Sequence, residues 1–272
     1  MRKIVHLSDL HFGRVDERLL QPLAERVHAL APHVLVVSGD LTQRARRVQF
    51  EAARAFLDRL PKPQVVVPGN HDVPLYNVLA RFGWPLAGFK RHITADLSPL
   101  YRDEQLVVLG LNSARSLVVK NGRVNQRQLT QVRRALCDLP GHMLKVVVTH
   151  HPFDLPGPVD ERQLIGRADE AMAAFAQCGV DVLLAGHLHA SSSHDSAARH
   201  PLAGYGALAV AAGTATSTRG RGERNAFNLL ALHKDLVEVQ RYEWQPEIGT
   251  FAATECRRFE RVDQGWQLAP PA

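Results

Sequence analysis

The sequence predicts an α/β fold, a sandwich of mixed sheets flanked by helices. Three observations carry this reading. From residue 3 to about 190, short β-branched runs alternate with stretches of helical spacing, as buried strands and amphipathic helices do. Beyond His189 the alternation gives way to short apolar runs split by glycine or polar breaks, which read as antiparallel strands and hairpins, so the sheets are not purely parallel. Asp9, His11, Asp40, Asn70, His150, His187 and His189 each follow directly on an apolar run. Five strand ends would therefore deliver these polar side chains to one rim, where open α/β folds place their sites.

In chain order, Ile4-Val5-His6-Leu7 predicts a strand near 3–8. Residues 17–30 carry Leu19, Leu20, Leu23, Val27 and Leu30 on one helical stripe. A strand at 34–38 precedes a helix near 46–60, in which Phe50, Ala53, Phe56 and Leu57 keep helical spacing. Pro61 and Pro63 stop that helix before a strand at 64–67. Residues 74–105, with Phe82, Trp84, Phe89, Tyr101 and several prolines, read as a short helix and an inserted loop near the site. A strand at 106–111, a helix at 125–138, a strand at 144–149, a helix at 168–177 and a strand at 181–185 complete the alternating part. The runs at 201–203, 207–212, 226–232 and 236–242 supply the antiparallel strands, and Phe251, Phe259 and Trp266 pin the tail to the body. No repeat or low-complexity linker divides the chain. Donors that run from residue 9 to 189 must meet inside one folded unit, so the reading is one domain over 1–272, its core to about 245 and its tail over 246–272.

Hydrophobic content of 45% and charged content of 22% over 272 residues are ordinary for a globular protein. No apolar stretch approaches the roughly 20 residues that span a bilayer, and a first strand starting near Lys3 leaves no room for a signal peptide. Cys137, Cys178 and Cys256 form no metal or disulfide spacing and fit a reducing compartment, so cytoplasm is the expected location. The net charge of +6, with arginine-rich patches at Arg44-Ala45-Arg46-Arg47 and Arg219-Gly220-Arg221-Gly222-Glu223-Arg224, favours anionic partners and allows peripheral contact with an acidic membrane face.

The donors suit a metal centre. Asp9-x-His11 and His187-x-His189 each place two ligands two residues apart, where alternation sends both to one side. Asp40, after Gly39, could lend one oxygen to each of two ions, and Asn70, after Gly69, offers a neutral carbonyl oxygen. If Asp40 bridges, one ion can take Asp9, His11, Asp40 and His189, and the other Asp40, Asn70, His150 and His187. Each set leaves positions for a bridging hydroxide and a substrate oxygen, the usual clamp for in-line displacement at phosphorus. A set without cysteine argues against a closed structural zinc site, and such nitrogen and oxygen donors accept manganese, iron or zinc. Taken singly, Asp40 reads as a helix cap and Asn70 as a turn residue; only the joint pattern outweighs those readings. His6, His28, His33, His92, His142, His200 and His233 read as ordinary histidines.

The series Asp9-x-His11, Gly39-Asp40, Gly69-Asn70-His71-Asp72, His150-His151-Pro152 and Gly186-His187-x-His189 resembles the calcineurin-like metallophosphoesterase family, in full and in order. The resemblance implies a four-layer α-β-β-α sandwich, a dinuclear site of two divalent or mixed-valence ions, and the ligand pairing given above. It also implies that His71 touches the scissile phosphate and protonates the leaving oxygen, with Asp72 orienting its imidazole. The Gly-Asn-His-Asp form looks like the branch of class III cyclic nucleotide phosphodiesterases and glycerophosphodiesterases, hence a phosphodiesterase acting on a small or lipid-linked anionic phosphodiester.

Asn112 and Ser113 follow a strand beside the site, His151 points elsewhere than its ligand neighbour and toward substrate, His194 is a rim candidate, and the turn at 212–214 adds a wall. Arg44, Arg115 and Arg219 are candidates for phosphate oxygens, which guanidinium forks suit. Two other activities stay open: a nucleotide-lipid pyrophosphatase, whose typical member has arginine where this chain has His71, and a nuclease, which lacks support from any DNA-capping domain or RNA-type aromatic motif. A non-enzymatic scaffold would predict missing donors, and none is missing.

Overall fold

In the computed structural model, residues 1–117, 121–157, 163–202, 204–219, 222–263 and 265–270 are described. The first half follows β1 (Arg2–Leu7), α1 (Leu20–Leu30), β2 (Val34–Ser38), α2 (Arg47–Leu57) and β3 (Gln64–Val67). Next come α3 (Val78–Gly83), α4 (Ala87–His92), β4 (Leu100–Arg102), β5 (Leu106–Gly110), α5 (Gln126–Leu136), β6 (Leu144–Val148), α6 (Ala168–Cys178) and β7 (Val182–Ala185). The rest is β: β8 (Ser192–Asp195), β9 (Leu208–Ala211), β10 (Ala226–Leu232), β11 (Leu236–Gln245), β12 (Thr250–Val262) and β13 (Gly265–Leu268). Two mixed sheets result, in the orders β13-β12-β11-β10-β1-β2-β3 and β4-β5-β6-β7-β9-β8.

Three apolar layers hold four structural ones. Between the sheets lie Ile4, Val34, Val36, Val65, Val108, Val146, Val182 and Leu184. The alternate residues of the same strands turn outward, as the two-residue period of a strand requires. Val5, Leu7, Leu35 and Val37 meet α1, α2 and α4 through Leu23, Val27, Phe50, Phe56 and Phe89. On the other side Val107, Leu109, Val147 and Leu183 meet α5 and α6 through Leu129, Val132, Met172 and Phe175. The four-layer α-β-β-α arrangement follows from strands that are apolar on both faces.

Several expectations need correction. The run at 201–203 forms no strand: Leu202 makes an isolated bridge to Tyr205, and Ala203 lies outside the described residues. The polar Ser192–Asp195 segment is a strand instead, held at a sheet edge by β9. β9 itself runs parallel to β7, not only antiparallel to a neighbour. Residues 74–105 hold two short helices and the strand β4 rather than one helix and a loop. The tail is a long strand with a return strand, and Phe251, Phe259 and Trp266 are buried there as expected.

The largest correction concerns cysteine. Cys137 and Cys178 form a disulfide, their Cα atoms 4.0 Å apart, and Cys256 is free. Forty-one residues separate the pair in sequence, and only the packing of α5 beside α6 brings them together. No spacing rule could have found them. Among the described residues no helix is long and apolar enough to cross a membrane.

Candidate metal centre

The rim is built from the carboxyl ends of β1, β2, β3, β6 and β7. β1, β2 and β3 are parallel neighbours, and so are β6 and β7, so within each sheet these ends point the same way. Each chain then turns abruptly. Asp9, His11, Asp40, His187 and His189 all have φ between 51° and 74°, the left-handed region. Few non-glycine residues adopt it, and Asp and His are among those enriched there. Tight packing accompanies the turns. A Cβ on Gly186 would overlap the Ser8 hydroxyl, and one on Gly69 would overlap the Asp40 carboxylate.

The seven donors converge in two groups. Asp9 Oδ1 lies 3.4 Å from both His11 Nε2 and His189 Nε2, and these two nitrogens are 3.3 Å apart. Asn70 Oδ1 lies 3.1 Å from His150 Nε2 and 3.1 Å from His187 Nδ1. Asp40 stands between the groups. Its Oδ2 is 3.6 Å from His11 Nε2, and its Oδ1 is 3.4 Å from His150 Nε2. Ligand atoms bonded to one ion at about 2.0–2.2 Å sit roughly 3–3.5 Å from each other, which is the spacing found.

One buried atom tests whether cations fit. Asp9 Oδ1 has no hydrogen-bond partner among the described residues, although a buried carboxylate oxygen without one is costly. Its sister Oδ2 is satisfied twice, by Ser8 Oγ at 2.6 Å and His187 N at 3.0 Å. One oxygen is thus anchored, and the other is left facing two imidazole nitrogens. A cation there satisfies all three.

Electrostatics agree. Burial pushes the Asp9 carboxyl up, but the His11 imidazole facing it and the neighbouring imidazoles outweigh it, so Asp9 stays ionised. Burial opposes the Asp40 charge in the same way, and His150 and His11 hold it well below the ordinary value. Burial lowers His187 and His189 to about 4, which leaves neutral rings able to bind a cation. His150 is opposed by burial yet raised to about 9 by Asp40 and Asp9, so cation binding there would displace a proton. His150 Nδ1 donates to the Ser38 carbonyl at 2.7 Å, which turns Nε2 toward the centre.

The remaining predicted residues are sorted differently. His71 is beside the centre: its backbone N–H donates to Asp40 Oδ1 at 2.8 Å, and its Nδ1 donates to the Gln43 carbonyl at 3.0 Å. Asp72 does not orient that ring. Its carboxylate accepts instead from Leu41 N, Thr42 N, Thr42 Oγ1 and Gly69 N, so it ties the β2 turn to the β3 turn.

Arg115 is spent on the Asn112 and Ala114 carbonyls and on Gln128. Arg44 lies over the Tyr76 ring, 5.2 Å from its centroid. His151 is fully buried against the His150 and His187 rings and pairs with Ser113 Oγ at 2.8 Å. His194 pairs with Asp154. Asn112, its Oδ1 capping Ala114 N, lines a cleft of about 410 Å³ with Trp84, Pro85 and Arg115. Ser8, the Ser38 and Gln43 carbonyls and Thr216 were missed, since nothing in a sequence marks a residue that only holds a site residue in place.

A family model described as calcineurin-like phosphoesterase matches residues 2–191. The chain belongs to that family. Among its relatives is the 3',5'-cyclic adenosine monophosphate phosphodiesterase CpdA of Escherichia coli (strain K12), 28% identical in an alignment that covers 74% of each chain. The phosphoesterase fold is shared with a dimetal phosphatase from Danio rerio, at TM-score 0.66 and 15% identity over 88% of this chain and 95% of that one. It is shared also with purple acid phosphatase PPD1 from yellow lupin (Lupinus luteus) seeds, at TM-score 0.70 and 11% identity. That alignment takes in 97% of this chain and 54% of the lupin chain, so this phosphoesterase spans about half the length of that neighbour. Divalent metal ions are what the family's chemistry requires, and the aspartate and histidine clusters here are candidates to hold them.

Proposed function

We propose that this chain is a phosphodiesterase with a dinuclear metal centre, acting on a small or lipid-linked anionic substrate. One observation carries the reading: the two oxygens of Asp40 face different donor groups, Oδ2 toward His11 and Oδ1 toward His150. A carboxylate so placed could serve two ions at once. Asp9, His11, Asp40 and His189 would hold one ion, and Asp40, Asn70, His150 and His187 the other. The ions are of manganese, iron or zinc, divalent or mixed-valence. When bound, they supply an acidified water and positive charge against the phosphoryl oxygens. The relation to a cyclic nucleotide phosphodiesterase supports a diester rather than a monoester.

The chain's own residues do the rest. Ser8 and the His187 amide fix Asp9, and the Ser38 carbonyl fixes His150, so each ligand presents one atom in one tautomer. His71 commits its Nδ1 proton to Gln43, which leaves Nε2, facing Arg219, as the ring atom for substrate. There it would contact the scissile phosphate and, once Nε2 takes a proton in place of the Arg219 hydrogen bond, give that proton to the leaving oxygen. Asp72 serves by holding the turn that carries Asn70 and His71. We keep the cytoplasm as the proposed location, and the Cys137–Cys178 bond, uncommon in a reducing milieu, removes the cysteine argument for it.

A second reading, hydrolysis of a nucleotide-linked lipid, is favoured by the exposed apolar side chains of α3, Leu79 and Phe82, and by Trp84 next to it. Protein loaded with manganese should carry about two ions per chain and hydrolyse bis(p-nitrophenyl) phosphate. Asp40→Ala and Asn70→Ala should each lower kcat/KM by about 10³-fold or more, the scale of removing a group that acts in the transition state. Undiminished hydrolysis by both variants after chelation would sink the proposal. A panel of monoesters, cyclic nucleotides, glycerophosphodiesters and nucleotide-linked lipids then separates the two readings, since only the second predicts release of a nucleoside monophosphate from the lipid.

A further inference from the structure

Arg219 lies outside the stretch matched by the family model, which ends at residue 191. It sits on a loop that the fold fastens to the first ligand turn. Thr214 Oγ1 donates to the Asp9 carbonyl and Thr216 Oγ1 to the Leu10 carbonyl, both at 2.8 Å. Ala215 N donates to Ser8 O at 3.0 Å, and Thr218 N to Arg14 O at 2.9 Å. Val15 and Ser217 add an antiparallel bridge. Thr214, Ala215, Thr216 and Ser217 are buried, so this is a built wall and not a loose surface segment.

At the end of that wall the Arg219 side chain reaches the centre. Nη1 donates to His71 Nε2 at 3.0 Å, and the backbone N–H donates to Ser217 Oγ at 3.1 Å. Its charge is felt by both His71 and His189. Among the described residues it has no carboxylate partner. The surrounding charge makes that place unfavourable. A half-buried guanidinium with most of its five N–H groups unspent faces imidazoles and the proposed cation centre, and only an anion could neutralise it. The other arginines named as phosphate binders are engaged elsewhere: Arg115 with carbonyls and Gln128, Arg44 with Tyr76.

We propose that Arg219 binds the substrate's phosphoryl group directly, its free N–H groups gripping a non-bridging oxygen on the His71 side of the centre. The inference rests on the phosphodiesterase reading above. In-line displacement gathers negative charge on the equatorial oxygens, and a fixed forked donor aimed there stabilises it. The loop after β9 therefore supplies a contact that the ligand-bearing half of the chain lacks.

Inorganic phosphate is the probe, titrated calorimetrically into manganese-loaded wild type, Arg219→Gln, Arg219→Lys, His71→Ala and the Arg219→Gln/His71→Ala pair. Arg219→Gln should keep its metal content, weaken phosphate binding about 10-fold or more, and lower kcat/KM toward bis(p-nitrophenyl) phosphate by about 10–100-fold, the scale of a lost charge-assisted hydrogen bond. Arg219→Lys should recover only part, because a point charge lacks the fork, and added guanidinium should partly rescue Arg219→Gln. The double variant discriminates. If Arg219 touches phosphate itself, removing it still weakens binding when His71 is already gone. Equal phosphate affinity in His71→Ala and the double variant, or in wild type and Arg219→Gln, overturns the inference and leaves the metal centre standing. A wild type that binds metal but neither phosphate nor diester would instead bring down the functional reading, and the inference with it.

Discussion

Five of the seven candidate ligands sit in left-handed backbone that costs of order 1–3 kcal/mol per residue. Such strain persists only where the surroundings over-determine it, and here the overlap that any Cβ on Gly69 or Gly186 would cause shows how little room is left. His6 shows the same economy one step back. It is fully buried, hydrogen-bonded to Ser38 Oγ at 2.9 Å, and lowered to about 3, chiefly by burial. Between pH 6.5 and 3 the unfolded chain binds a proton there and the folded chain does not, so stability falls as pH falls through that window. Urea midpoints at matched metal content should report a loss of about 2 kcal/mol from His6 between pH 7 and pH 5. His6→Gln should flatten that part of the slope; an identical pH dependence in the variant would refute it.

Elements act here as spokes. Each short parallel strand spends its apolar residues on two layers and then releases a polar residue at its end, which is why so much of the centre was legible from runs of valine followed by Asp, Asn or His. What elements do to one another was less legible. α5 and α6 carry no spacing that links Cys137 to Cys178, yet side-by-side packing bonds them. Unreduced, denatured protein should therefore titrate with one thiol, Cys256, and with three after reduction. Three thiols without reductant would contradict the bond. The same titration on acid-quenched cells reports the compartment, because a cytoplasm holds such pairs reduced. Closing a loop of this length is worth about 4 kcal/mol by chain entropy, so the reduced form should unfold at lower urea.

At the scale of the molecule, the +6 charge and one apolar surface combine. Tyr76, Leu79 and Trp84 are 76%, 82% and 71% exposed, and residues 73–95 contain Lys90 and Arg91 but no Asp or Glu. Phe89, close by in sequence, is instead buried in the helix layer with Phe50. An exposed aromatic and aliphatic face without carboxylates suits an anionic membrane surface. Sedimentation with vesicles of anionic lipid should carry wild type down, and Leu79→Glu/Trp84→Glu should leave it in solution. If wild type stays free at low salt, a lipid-linked substrate loses its support and a small soluble diester gains it.

The sequence by itself determined the fold class, the family and most of the elements through residue 185, and it singled out the seven candidate donors, because strand period, turn residues and ligand types are local properties. It could not determine what meets across distance. The placement of Asp40 between two donor groups, the redirection of Asp72 to backbone amides, the burial of His151, the disulfide, and the approach of Arg219 to His71 across 148 residues all follow from which surfaces pack together. Packing is settled by the whole chain at once, and no window of sequence contains it.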